Sequence, residues 1–440
     1  MSQAQADLSL VTDKLTKYQK YVVFCAWVGL GFDLMDSILF NFISPIAIPN
    51  LLNLAPSSVE GKTATGFWTG ILTSVMLLGW AIGGVAFGRL SDTIGRTRTV
   101  ILTMLLYSLG TGACALAPNV WILSVLRFVT ALGIGGEWAA GATLVAETVP
   151  ESRRVQMGTV LFTAPPFFVF LGLFVNWLLT KQIESIASDP NISWRLVLGF
   201  GAVPAIAAIF IRRGLKEPER WQSAERPKSS LAELFSPELR RRTVGGMLIA
   251  TIALVTFWVV NAFLPVVAAF LVDEIVPKPA NVPAMKASFV TQALAWFNLG
   301  GLIGSVLAAP MAMRLGRRPM YFLYFAWSAV TVALAFGLAL ETSTRMMMLG
   351  LVGVSVYGIF GSFQFYLPEL FPTHLRGSGA GFCLNSGRFI TVGGPFIVGL
   401  LARSGANPID LLRWVAAVPV VGLVLLAFGV GAETKGEKLA

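Results

Sequence analysis

The chain has 440 residues, 55% of them hydrophobic and only 13% charged, with a formal net charge of +10. Its mean hydropathy is +0.72, whereas soluble domains carry about 25% charged residues, so the composition excludes a soluble enzyme or binding module and describes a polytopic membrane protein. The basic excess does not indicate nucleic acid, because Lys and Arg fall in short loops between apolar runs, which is a signal of membrane topology. Cys25, Cys114 and Cys383 lie inside apolar runs, with neither a disulfide framework nor a metal-ligand spacing.

The chain opens with about twenty mostly polar residues and then enters a run too long for the apolar stretch of a cleaved leader, so no cleavage is expected. Runs long enough to cross a bilayer, roughly 17 to 25 residues each, fall at 21–49, 66–88, 99–117, 120–145, 155–180 and 193–211. Six more follow at 243–272, 288–313, 319–340, 345–367, 377–402 and 410–432. The expected organisation is an all-α polytopic membrane protein of twelve transmembrane helices. It comprises a tail at 1–20, a six-helix bundle at 21–211, a charged linker at 212–242, a second six-helix bundle at 243–432 and a tail at 433–440. With both termini on one side, the tails and even-numbered loops hold 23 of the 33 Lys and Arg residues, which predicts cytoplasmic termini.

Five ionisable side chains fall deep in these runs: Asp33, Asp36, Arg127, Glu137 and Arg388. Each is expensive in hydrocarbon and demands a reason. Asp33 and Asp36 stand at i and i+3, on one helix face and about 4.5 Å apart along the axis. Two carboxylates that close in a low-dielectric site do not both ionise cheaply, so the pair can take up a proton near neutral pH. Arg127 stays charged at any useful pH and needs an acid, a water-filled cavity or an anion as its partner; a fixed pair with Asp33 or Asp36 is the structural alternative. Glu137 lies about 15 Å further along the fourth run, among Gly133, Gly135, Gly136 and Gly141, where it either couples protons or is packed at a tight helix contact. Arg388 is the deep charge of the second half, and its planar fork suits a carboxylate. A pair with Glu137, or water near Asn385, is its structural alternative. Trp296, Asn298, Tyr357 and Gln364 lie at depths that suit a cavity. His374 reads as a solvated loop residue.

The halves repeat. Glu147 and Glu369, Pro150 and Pro372, and Arg154 and Arg376 are each 222 residues apart, and Gly95-Arg96 recurs as Gly316-Arg317. A parallel repeat of six spans places a binding site near mid-depth between the halves, as transporters do. "GRLSDTIGRTR" (88–98) and "RFVTALGIGG" (127–136) resemble the loop and fourth-span signatures of the major facilitator superfamily. "KEPERW" (216–221) and "PELFPTHLRGSG" (368–379) resemble segments of its sugar-porter-like branch. "GFDLMD" and "GIGGEWAAGATLVAE" look most like its proton-coupled carboxylate carriers for sialate, aromatic acids, nicotinate and short organic acids. The loop after span eight has no acid matching Asp92, which leaves that half without the full ion-pair latch.

The resemblance implies proton-coupled symport of a small organic anion at the cell membrane by alternating access. Asp33, Asp36, Arg127 and Glu137 would couple protons, Arg388 would hold the anion, as in anion-carrying relatives, and Gly88, Asp92, Gly95 and Arg96 would form a cytoplasmic gate. Two alternatives are a proton-coupled exporter of cationic or drug-like substrates and a non-transporting receptor on the same fold. No phosphate-binding loop G-x-x-x-x-G-K-[ST] is present, and no nucleophile-base pair or metal cluster lies at depth, so the expectation is neither an enzyme nor a cofactor protein. The expected partners are the anion, protons and the bilayer, with no nucleic acid, and nothing requires more than a monomer.

Overall fold

The computed structural model describes residues 14–56, 58–223, 230–273, 275, 282–394 and 407–437, and among these the chain is helical, without strands. The outer parts of both expected tails, 224–229 of the linker and 395–402 of the eleventh run lie outside the described residues. The spans, numbered in chain order, are Lys17–Leu51, Val59–Ile94, Arg96–Cys114, Val120–Thr148, Glu151–Leu161 continued by Ala164–Trp177, and Pro190–Phe200 continued by Val203–Gly214. Spans seven to twelve are Arg240–Asp273, Val282–Leu315, Arg317–Gly337, Thr342–Val356 continued by Phe360–Glu369, Arg376–Thr391, and Pro408–Arg413 continued by Ala417–Ala427. Ten of these, among the described residues, are long and apolar enough to cross a membrane. Span three, rich in Thr and Ser, and span eleven complete the twelve.

Local chemistry sets the helix limits. Thr16 and Gln19 form a capping box at the start of span one, and Ser58, Asn119 and Asp189 cap spans two, four and six by accepting from backbone N–H groups. These side chains satisfy donors that a helix start leaves without partners. Spans five and six break just before Pro165-Pro166 and Pro204, because proline lacks an N–H and crowds the preceding turn. Pro45 and Pro49 lie inside span one without ending it.

With lipid outside and protein inside equally apolar, helices associate through close backbone packing. A Cβ on Gly135 of span four would overlap the Trp80 carbonyl of span two, and one on Gly83 would overlap the Leu132 carbonyl. The second half uses the same device, since Gly304 and Gly353 bring spans eight and ten into backbone contact. Outward-facing residues are apolar: Leu299, Ile303 and Val306 of span eight are about half exposed, as a surface covered by lipid requires.

Replacing Gly135 by leucine is expected to overpack the contact between spans two and four and to destabilise the protein by about 1–3 kcal/mol. Thermal unfolding in detergent measures this as a lowered midpoint.

Candidate functional site

Span one turns Asp33 and Asp36 into the first bundle, where they are 0% and 1% exposed. None of their four carboxylate oxygens has a hydrogen-bond partner among the described residues. Of the two acids it is Asp36 that Arg127 meets, Nη1 lying 3.7 Å from Oδ2, an ion pair too long to be a hydrogen bond. The rest of that guanidinium is spent on soft contacts, with Nη2 3.0 Å from Met76 Sδ and the charge 5.2 Å from the Phe40 ring centroid. Glu137 of span four accepts from the Thr103 hydroxyl at 2.8 Å through Oε2. Its Oε1 has no hydrogen-bond partner among the described residues and fills the space beside Gly29 of span one, where a side chain would collide with it. Glu137 thus sits at a tight helix contact as well as in the acid cluster.

Arg388 arrives from the other half. Its guanidinium carbon lies 4.1 Å from the ring centroid of Trp80, and its Nη1 donates to Asn385 Oδ1, whose amide in turn donates to the Gly381 carbonyl at 2.7 Å. Asp33 lies within electrostatic reach of both Arg388 and Glu137. Spans one, four and eleven therefore bring three buried carboxylates and two buried guanidiniums into one region, with few hydrogen bonds among them. Buried charge of this kind is costly unless something neutralises it, and such a cluster can exchange protons and hold an anion.

The other candidates scatter. Tyr357 stacks on Phe297, with centroids 6.0 Å apart, and meets Phe162 of the first bundle at 5.6 Å. Gln364 is 2% exposed with Nε2 unpartnered, and Asn298 donates to the Leu294 carbonyl four residues back. Trp296 is 40% exposed, on the same stripe of span eight as Leu299 and Ile303. A depth estimate places a residue along a helix and leaves its rotation open.

At the end that carries both termini the halves are sealed by charge. Glu147 Oε1 accepts from Arg96 Nη2 at 2.9 Å and from Arg376 Nη1 of the opposite half at 2.7 Å. Arg96 also reaches Asp92 at 2.7 Å and the Thr373 carbonyl at 2.6 Å. Asp92 accepts from the backbone N–H groups of Gly377 (2.9 Å) and Ser378 (2.7 Å), so it caps span eleven. Gly88 lets span two approach, since a Cβ there would lie 2.6 Å from the Gly377 oxygen. The second half was expected to lack the full latch. It does lack the acid, and Arg317 Nη1 donates to a carbonyl five residues back, Ala312, the bond that Arg96 Nη1 makes to Ser91 beside its bond to Asp92. Yet Glu369 gathers Arg317 at 2.8 Å and Arg154 of the first half at 3.1 Å, mirroring Glu147 with Arg96 and Arg376. The sequence marked these glutamates as repeat positions without revealing them as ion-pair centres.

Two further acids, in polar segments of the chain, cap helix starts. Gly95 and Gly316 turn the chain at φ of 115° and 103°, a region that side-chain-bearing residues avoid. Glu217 accepts from the N–H groups of Thr97 and Arg98 just after the first turn, and Glu433 from those of Arg317 and Arg318 just after the second. Burial pushes the Glu433 carboxyl up, but backbone N–H groups of Arg317, Lys435 and Arg318 outweigh it and hold it below the usual range. His374 is not simply solvated, for its Nε2 lies 2.8 Å from Glu233 Oε1 in the linker.

Twelve helices in two repeated bundles around a charged interior define a multi-pass membrane protein built as solute transporters are. Residues 26–276 match the Major Facilitator Superfamily, and the chain belongs to that family. It is 28% identical to the cis,cis-muconate transport protein of Acinetobacter baylyi over 82% of this chain and 84% of that one. It is 26% identical to the niacin transporter of the same organism over 94% of each. The fold matches the proton:xylose symporter XylE of E. coli with a TM-score of 0.76 at 16% identity, covering 96% of this chain and 98% of that one. Relatives of the family are named as transporters, and this chain is a transporter rather than an enzyme.

Glu147→Gln would leave Arg96 and Arg376 buried without their shared acid, and is expected to destabilise the sealed state by about 3–5 kcal/mol, measured as a drop in melting temperature. The Glu433 carboxyl is held below its unfolded value. Its stabilising contribution is therefore present above the ordinary carboxylate range and is lost as pH falls through the lower folded value. Glu433→Gln should flatten that acid-side loss in a melting-temperature profile against pH.

Proposed function

We propose that the chain is a secondary active transporter that moves a small organic anion, a carboxylate, in symport with protons across the cell membrane by alternating access, with both termini cytoplasmic. The observation that carries this reading is Asp33, a fully buried carboxylate without a hydrogen-bond partner among the described residues, lying within electrostatic reach of Arg388, a buried guanidinium of the other half. Muconate and niacin in the names of relatives favour a carboxylate.

In this mechanism the bundles 21–211 and 243–432, joined by the linker 212–242, rock about the site at mid-depth. Protonation of the Asp33 and Asp36 pair loosens the hold of Asp36 on Arg127, with Glu137 as a third acid in the same field. The released positive field and Arg388 receive the carboxylate, since a guanidinium fork matches two carboxylate oxygens. Tyr357, Gln364 and Asn298 flank the path. Opening towards the cytoplasm requires Asp92 and Arg96 to leave span eleven and Glu147 to release Arg376, with Gly88 and Gly95 permitting the close approach and the turn. A monomer contains every part named.

Uptake into proteoliposomes, with labelled cis,cis-muconate, nicotinate, benzoate and organic cations, tests the reading. A carboxylate should accumulate under an inward proton gradient. Asp33→Asn and Asp36→Asn should exchange it without concentrating it, and Arg388→Gln should lower kcat/KM by about tenfold or more, the value of one or two charge-assisted hydrogen bonds. Movement of cations alone, or anion uptake indifferent to pH and to all three substitutions, would sink it.

A further inference from the structure

Spans two and eleven form a seam between the halves that runs from the sealed end to mid-depth. Gly88 and Gly84 of span two meet Gly377, Gly381 and Asn385 of span eleven so closely that a Cβ on Gly84 would overlap the Asn385 amide. The next residue of the same stripe is Trp80, one turn beyond Gly84, and across from it the stripe of Gly381 and Asn385 continues with Arg388. Here backbone contact gives way to a side-chain contact, the Arg388 guanidinium carbon lying 4.1 Å from the Trp80 ring centroid. Both residues are deeply buried, at 3% and 5% exposure, and Trp80 Nε1 and Arg388 Nε have no hydrogen-bond partner among the described residues. Trp258 of span seven packs on Trp80 with the two rings nearly perpendicular and their centroids 6.4 Å apart, a further contact that holds the indole in place. A cation on an indole face, away from water, is strongly attracted to it, because no water competes for the charge.

We propose that the Trp80–Arg388 stack senses the bound anion and releases the seam. Without substrate, the attraction of the ring for a full positive charge helps hold spans two and eleven together. A carboxylate engaging Arg388 neutralises that charge and weakens the stack, so the halves part only when the site is filled. Trp80 is thus a positioning residue that links occupancy to opening. The sensing step rests on the reading of Arg388 as the anion ligand, whereas the holding step does not.

Hydrogen–deuterium exchange on the full chain in lipid nanodiscs, without and with nicotinate, tests both steps. Without ligand, Trp80→Leu and Arg388→Gln should each raise exchange in 81–94 and 376–388 by roughly fivefold to thirtyfold, the equilibrium shift equivalent to losing one desolvated cation–π contact. The double variant should do no more than either single one. Trp80→Phe keeps a ring face and should stay close to wild type, which separates loss of the stack from misfolding. Nicotinate should raise exchange in the same segments of the wild type and leave Trp80→Leu unmoved. Wild-type exchange in Trp80→Leu, additive effects in the double variant, or a Trp80→Phe as open as Trp80→Leu would overturn the holding step. A wild type that takes up nicotinate with no change in exchange would overturn the sensing step. If Arg388→Gln takes up anions normally, the functional reading and the sensing step fall together, while exchange without ligand still decides the holding step.

Discussion

Glu147 lies between two guanidiniums, Arg96 from its own half and Arg376 from the other, and this shared acid is what lets the two bundles close on each other. A carboxylate and two arginines can be buried at this depth only when nearly every hydrogen-bonding atom is used. Asp92, the Thr373 carbonyl and the N-terminus of span eleven complete that accounting on one side. Glu369 repeats the arrangement with Arg317 and Arg154. Each glutamate thus takes one arginine from each half, so separating the halves strips both clusters of a partner at once. Switching between two arrangements, as the proposed mechanism requires, would therefore break the two clusters together.

The middle of the molecule follows the opposite rule. Among the described residues Asp33 and Asp36 have no hydrogen-bond partner, Arg127 reaches its acid at 3.7 Å, and Glu137 uses one oxygen of two. Well-satisfied charge at the sealed end makes a stable contact, whereas poorly satisfied charge between the bundles is costly until something neutralises it, which is what the proposed uptake of protons and an anion would do. On the proposed reading, substrate binding and closure draw on the same physics at two depths. The seam of spans two and eleven joins them, because Gly88 stands near the latch and Trp80 near Arg388 along one helix face.

Much of this was legible in the chain itself. Runs of apolar residues and the placement of Lys and Arg led to twelve helices. The repeat of Glu147 and Glu369 led to two related bundles, and five deep charges led to the centre of the molecule. Trp296 shows the limit, since its depth along span eight was readable from the sequence, while its rotation onto the exposed stripe of Leu299 and Ile303 came from the fold. Glu217 and Glu433 show another, because an acid in a polar loop looks solvated until the fold brings a helix start against it.

The sequence by itself determined which segments enter the membrane and which charges enter with them, because the free energy of moving a long apolar run from water to hydrocarbon is set mainly by that run's own side chains, and a few charges are carried in with it. Only the tertiary structure decided the partners. That Arg127 meets Asp36 and leaves Asp33 alone, that Glu147 reaches across to Arg376, and that Trp80 covers Arg388 all depend on helix rotation and the closeness of spans. Ångström differences in separation settle whether buried charges pair, and those separations arise from the packing of residues that lie far apart along the chain.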